Sequence, residues 1–350
     1  MLTPRLPAYS FRSWAAARNP GRWRLAGVLL VSLVLVTLST LGSLPIQGQE
    51  QTVSTSALAL QEYAVPAGNY PHDAVPGPNG YVWYAGQRSG TVGRLDPSTG
   101  ENVVVTIAPD SAPHGIIIGP DNAAWITDGG LNAIVRVDTT TWEISVYPLP
   151  GARANLNTLT FDGRGVLWFT GQGGYIGRLD PAVGVVDQWQ SPRGPGPYGI
   201  STAPNGTVWF ASLAGSYLGR IDGDDGSVSV FDPPTPQSGV RRVWPDSAGN
   251  LWIAQYNVGQ VARYNPVTEQ WTEWRLPGAN ARAYAIYVDE RDKVWLSDTG
   301  HDTVVMFDPV TETFETVVIS TPSNVAQLGG RTGEVWGAQR ARDHVFVVRY

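Results

Sequence analysis

The 350-residue chain contains no cysteine and is only 15% charged, which excludes a disulfide framework, a thiolate nucleophile and any zinc site built on Cys. Gly (40), Pro (27) and Trp (14) are abundant, a balance that suits many short strands and tight turns rather than long solvated helices. The net charge is −6, and residues 1–50 hold five arginines against Glu50, so the other 300 residues carry −10; such a surface repels phosphate backbones, and no nucleic-acid partner is expected.

Residues 1–24 form a basic tail with Arg5, Arg12, Arg18, Arg22 and Arg24 and no acid. Residues 25–45 come next, apolar and free of charge, about as long as the ~20 residues a membrane-crossing helix needs. The positive-inside bias keeps the tail in the cytoplasm and exports the chain beyond residue 45, so the body is expected to be extracytoplasmic and anchored in the membrane. The most apolar part, Leu25 to Val36, is also short enough for a signal peptide, with Ser39, Thr40, Gly42 and Ser43 behind it. Cleavage and secretion are therefore the alternative. Residues 46–60 read as a polar linker.

From residue 61 onward the chain repeats itself. "YVWYA", "AAWIT", "VLWFT", "TVWFA", "NLWIA", "KVWLS" and "EVWGA" place Trp83, Trp125, Trp168, Trp209, Trp252, Trp295 and Trp336 at intervals of 42, 43, 41, 43, 43 and 41. In each copy an apolar run ends in a Gly-, Pro- or Asn-rich turn, the Trp strand comes after it, a third strand such as "GRLDP" is next, and a fourth resembles "SVYPLP" or "TEWRLP". Four short antiparallel strands per repeat predict an all-β, seven-bladed β-propeller over residues 61–350, with the Trp packed between blades. The seventh copy lacks a fourth strand, and "QEYAVP" (61–66) looks like a fourth strand with no blade ahead of it. An N-terminal strand therefore closes the ring and removes two exposed edges. Lys293 is the only lysine against 23 arginines, a ratio ascribed to base usage in the genome rather than to phosphate binding.

In an antiparallel meander the start of strand one and the end of strand two share one face. The position eleven residues before each Trp reads His72, His114, Asn157, Tyr198, Arg241, Tyr284 and Val325; three residues after it come Gly86, Asp128, Gly171, Ser212, Gln255, Asp298 and Gln339. Six of the first seven are hydrogen-bonding types where packing would accept Val. The motifs "PHD" and "PHG" thus put His72 and His114 on adjacent blades at equal depth, with His301 and His344 in loops on the same side of the mouth. Two neutral imidazoles and a carboxylate hold a divalent ion, and a His serves as a base near neutral pH. His72, His114 and Asp128 are the catalytic candidates, with the two histidines as metal ligands. Asn157, Tyr198, Arg241, Tyr284 and Asp298 are candidates for contact with a small-molecule or peptide ligand, and Arg241 suits a carboxylate or a salt bridge to Asp246.

The units "PHGIIIGPDNAAWITDGGLNAIVRVD" and "PYGISTAPNGTVWFASLAGSYLGRID", with their "EYxLP"-like fourth strands, resemble the seven-bladed virginiamycin B lyase (streptogramin lyase) family. The resemblance implies magnesium-assisted elimination at an ester of a cyclic depsipeptide, with two histidines on neighbouring blades and a Glu after the Trp strand. Carried over in register, those positions are Tyr284, Asp298 and Val325, so only an acid is kept. The two-histidine arrangement stands instead on blades one and two.

Three functions are thus open: a metal-assisted lyase, a non-catalytic binding propeller, and a lactonase-type hydrolase. The last is disfavoured because the two rings hold only Asp128 and Asp298 as carboxylates. A monomer is expected.

Overall fold

The structure, a computed structural model, describes residues 58–350; the basic tail, the apolar segment and most of the linker lie outside the described residues. Among the described residues no helix is long and apolar enough to cross a membrane, and the only helical pieces are 3₁₀ turns at Pro78–Gly80 and Arg340–Arg342.

The strands form seven four-stranded antiparallel sheets. Six are consecutive meanders, opening at Pro71–Pro76, Pro113–Ile118, Leu156–Phe161, Pro197–Thr202, Val240–Pro245 and Ala283–Val288. The seventh joins Val325–Arg331, Glu334–Gln339 and His344–Arg349 to Ala59–Ala64, which pairs from Ala59↔Arg349 to Ala64↔His344. The first strand of each blade packs on that of the next, and the first strand of blade seven packs on that of blade one, so the sheets form a closed ring. The result is the all-β seven-bladed propeller that the repeats predict.

Each Trp does what the spacing implies. Trp83 packs on Ile116 and Ile126 of blade two, Trp168 on Ile200 and Phe210 of blade four, and Trp336 on Ala74 and Tyr84 of blade one. A blade cannot bury this face alone, which is why the unit repeats. Turn carboxylates also accept the indole N–H: Asp162 from Trp168, Asp246 from Trp252 and Asp289 from Trp295, at 3.0–3.1 Å. Asp246 is thereby committed to Trp252 and its own turn, not to Arg241. On the third strand, Arg136, Arg178, Arg220 and Arg263 lie over the Trp ring of their own blade at 5.8–5.9 Å. This cation–π register gives a local reason for arginine at those positions.

A β-bulge recurs in every first strand, so its residues outnumber those opposite. In blades two, three and six a hydroxyl two residues after the Trp clasps it. Thr127 Oγ1 accepts from the Gly115 N–H and donates to the Asn157 carbonyl of the next blade; Ser297 Oγ does the same between the Ala285 N–H and the Val325 carbonyl. Thr170 joins the Thr158 N–H to the Tyr198 carbonyl in the same way. Replacing Thr127 by Val keeps the shape but leaves the buried Gly115 N–H without its acceptor. Urea unfolding of Thr127→Val is expected to show a loss of about 1–3 kcal/mol.

Candidate functional site

The bulges carry the first-ring residues, and contacts that skip blades show that these converge on the axis. The Tyr198 and Tyr284 hydroxyls, from blades four and six, meet at 2.6 Å. The rings of His72 and His114, from blades one and two, lie 3.6 Å apart, and His114 sits edge-on to Tyr198 at 6.5 Å. Asn157 stands beside His114. The structure therefore gathers His72, His114, Asn157, Tyr198, Arg241 and Tyr284 in one cluster.

The hydrogen bonds fix the imidazole tautomers. Arg340 Nη1 can only donate, so His72 Nε2, 3.0 Å away, accepts. His72 Nδ1 then carries the hydrogen and donates to Asp73 Oδ1 at 2.7 Å. His114 Nδ1 donates to the Asn157 carbonyl at 3.1 Å, leaving Nε2 to accept from Asn157 Nδ2 at 3.4 Å. All four ring nitrogens are occupied by protein groups. His72 is 1% and His114 8% exposed, and burial pushes both well below the usual imidazole range. Arg340, Arg242 and Arg241 add to this at His72, and His72 itself adds to it at His114. Burial raises the Asp73 carboxyl, against the pull of Arg242, His114 and Arg340.

Opposite the histidines, the Arg241 guanidinium lies in an aromatic cage, 3.4 Å from the Tyr284 ring centroid, 4.3 Å from Tyr198 and 4.5 Å from Tyr256. It donates to the Tyr198 hydroxyl at 2.8 Å. Burial, with Tyr284 next, pushes Tyr198 up to about 12. Burial also raises Tyr284, but Arg241, Arg340 and Arg242 together outweigh it and the net direction is down. Leu213 and Tyr256 pack on this pair and line a cleft of about 720 Å³ between blades four and five, so the cleft adjoins the cluster. On the axis itself, a cavity of about 280 Å³ walled by apolar residues together with Thr158, Thr160, Ser201, Thr202 and Gln327 has Asp73 in its lining.

The second ring behaves differently from its sequence reading. Asp128 accepts from the Ser111 hydroxyl and the N–H groups of Ala112 and Leu131, and so ties loops rather than meeting the histidines. Asp298 accepts from the N–H groups of Arg282 and Gly300 and from His301. Gln339 reaches Glu62. The reason is position: these residues pair with the residue ahead of the bulge and face converging loop N–H groups. His301 is held by Asp298 and His344 by the Arg342 carbonyl, at 2.7 Å each, so neither joins the pair. In blade seven Val325 pairs with Gln339 as Pro71 pairs with Gly86. Its ring residue is therefore Ala326, which packs with Tyr198 and Tyr284; the count from Trp336 is short by one.

Asp73, Arg242, Tyr256 and Arg340 are site residues that the spacing does not single out. Asp73 completes "PHD" and Arg242 follows Arg241, each beside a ring residue within a bulge. Tyr256 and Arg340 stand four residues after their Trp, one beyond the second ring.

His72, Asp73 and His114 each offer one ligand-type atom, all within 4.8 Å of one another. Magnesium, however, requires near-octahedral coordination dominated by carboxylate and water oxygens. Here one carboxylate stands with two imidazoles, His72 Nε2 is taken by Arg340, and three guanidiniums oppose a divalent cation. The residues do not fit magnesium.

These features define a seven-bladed propeller with a buried, donor-rich ring on its axis. The sequence profile of the virginiamycin B lyase family matches residues 58–345, and the chain belongs to that family. No curated protein matches the sequence. Virginiamycin B lyase from Staphylococcus aureus superimposes with a TM-score of 0.77 at 21% identity, over 84% of this chain and 99% of its own. A catalytically inactive variant of that enzyme with quinupristin gives the same figures. The extracellular domain of a hybrid two-component system from B. thetaiotaomicron superimposes with a TM-score of 0.68 at 16% identity, over 83% of this chain but only 42% of its own.

Both imidazoles have folded-state values below the ordinary 6.5. Above that pH each ring is neutral in both states and the stability is intact. As the pH falls below it, the unfolded chain takes up protons that the folded one refuses, and stability declines by up to about 1.4 kcal/mol per pH unit for each ring. His301, exposed and raised by Asp298, works in the opposite sense and weakly. Melting temperatures taken between about pH 5 and 8 are expected to fall on the acid side, and a His72→Gln, His114→Gln double variant should flatten that limb.

Proposed function

We propose that this chain is an extracytoplasmic ligand-binding propeller that holds a small-molecule or peptide ligand at the ring mouth and adjoining cleft without turning it over. The observation that carries this reading is the commitment of all four imidazole nitrogens of His72 and His114 to protein partners. A base must reach its proton, and a metal ligand must present a lone pair. These histidines instead fasten blades one, two, three and seven to one another.

The surface around them suits recognition. Tyr198, Tyr256 and Tyr284 with Arg241 offer rigid aromatic contact and hydrogen-bond donors, a combination common in ligand pockets. The adjoining cleft gives a ligand room for its body. An extracytoplasmic position is supported by the charge-free segment after a basic tail and by the extracellular domains among the solved neighbours. Anchoring by residues 25–45 is part of the same proposal.

A second reading, a lyase acting on a cyclic depsipeptide ester, is favoured by family membership. Against it stand Tyr284 and Ala326 at first-ring positions of blades six and seven, where the resemblance implies histidines. The two readings part on one measurement. Incubated with a cyclic depsipeptide, the full-length chain is expected to leave the ring closed with or without Mg²⁺, and neither Mg²⁺ nor a chelator should move its melting temperature. Magnesium-dependent ring opening that is lost in His114→Ala would establish the lyase instead.

A further inference from the structure

We infer that the propeller axis carries an oxyanion site, built by Arg242 and Arg241 of blade five with Arg340 of blade seven, that takes the carboxylate of an organic ligand. This rests on the binding reading above and names the chemical class of its ligand.

The balance of charge points to an anion. Three guanidiniums meet on the axis with one carboxylate, Asp73, and two imidazoles that stay neutral. The site thus holds an excess of two positive charges in a region where Arg242 is 2% and Arg241 9% exposed. A buried charge persists only with a partner. Even the partly exposed arginines of the outer strands and loops find one: Arg136 pairs with Asp121, Arg178 with Asp187, Arg193 with Asp232.

The hydrogen-bond donors point the same way. Each nitrogen of Arg340 already has one acceptor, in the Asn324 carbonyl, Asn324 Oδ1 and His72 Nε2. Arg242 donates through Nη2 to the Ala326 carbonyl at 3.2 Å, across the axis from blade five to blade seven. Its Nε and Nη1 find no acceptor among the described residues, and neither does Arg241 Nε. Arg241 is compensated by its tyrosine cage; Arg242, 5.1 Å from the Tyr198 ring, shares only a longer-range attraction with Asp73 and forms no close ion pair with it. Buried guanidinium N–H groups without acceptors, beside phenol hydroxyls, are the recognition chemistry of carboxylate and phosphate oxygens.

Among anions, the charge of the whole propeller selects. The −10 carried by the residues after position 50 disfavours the approach of polyanions, while a single carboxylate on a largely neutral body meets less repulsion. The cleft lined by Leu213 and Tyr256 accommodates such a body, with its charged end toward Arg241. The resident Asp73, tied to His72, is the one like charge the ligand meets.

Thermal shift and calorimetric titration of the full-length chain with sodium acetate, acetamide, inorganic phosphate and sodium chloride, at matched ionic strength, test this. Acetate is expected to raise the melting temperature above chloride, and acetamide, without the charge, is not. A phosphate shift exceeding that of acetate would keep the oxyanion site but assign it to the inorganic ion. Arg242→Met, apolar and similar in length, should weaken acetate binding at least about tenfold, the size expected for a lost charge-assisted hydrogen bond. Arg241→Met is the second variant, expected to weaken it as well, should the first fail to fold. Equal responses to acetate and chloride in the wild type, or an undiminished acetate response in folded Arg242→Met, would overturn the site. Depsipeptide ring opening by the same preparation would instead remove the binding-only reading and leave the anion site standing, so the two failures are told apart.

Discussion

One surplus residue in the innermost strand of every blade is the constraint on which the interior depends. A regular strand would alternate its side chains between the two neighbouring blades. The bulge breaks that alternation near one end, and the residues it frees are those that meet on the axis: His72, His114, Asn157, Tyr198, Arg241, Tyr284 and Ala326. It also frees carbonyls and N–H groups that a ladder would have used, and the hydroxyls of Thr127, Thr170 and Ser297 collect them. The same local departure thus makes the polar ring and holds neighbouring blades together around it.

Around that ring lies an unusual electrostatic balance for a protein of acidic sequence. The outer strands carry acids paired with arginines, while the axis concentrates guanidiniums. The two histidines do not relieve this, because burial and the nearby cations keep them neutral. Arg340 has a particular part here: its Nη1 donates to the Nε2 lone pair of His72. That contact ties blade seven to blade one at the same point where the guanidiniums gather.

The blade count, the strand order and the packing role of Trp83 through Trp336 are legible in the sequence because they obey a fixed period, and a period survives the loss of individual residues. The first ring is legible for six blades for the same reason. It fails in blade seven, where the stretch from the bulge to Trp336 is one residue shorter, so that the spacing lands on Val325 in place of Ala326. Asp128 and Asp298 mislead because residue type and face do not reveal whether loop N–H groups have already claimed a carboxylate. Asp73, Arg242 and Arg340 escape because a bulge places two successive residues on the axis where a spacing rule allows one, and because the loop after strand two turns back inward at Arg340. These are properties of backbone geometry that the repeat period cannot encode.

The seventh sheet has a further consequence. It is stitched from both extremities of the propeller, with Ala59 directly opposite Arg349. The polypeptide is therefore topologically near-circular, and which blade counts as first is an accident of where the gene is cut. A short peptide joining the two extremities, with a new opening made between any other pair of blades, leaves every inter-blade tryptophan contact and the whole axial ring unchanged. The architecture thus tolerates permutation of its order far better than loss of any one of its sectors.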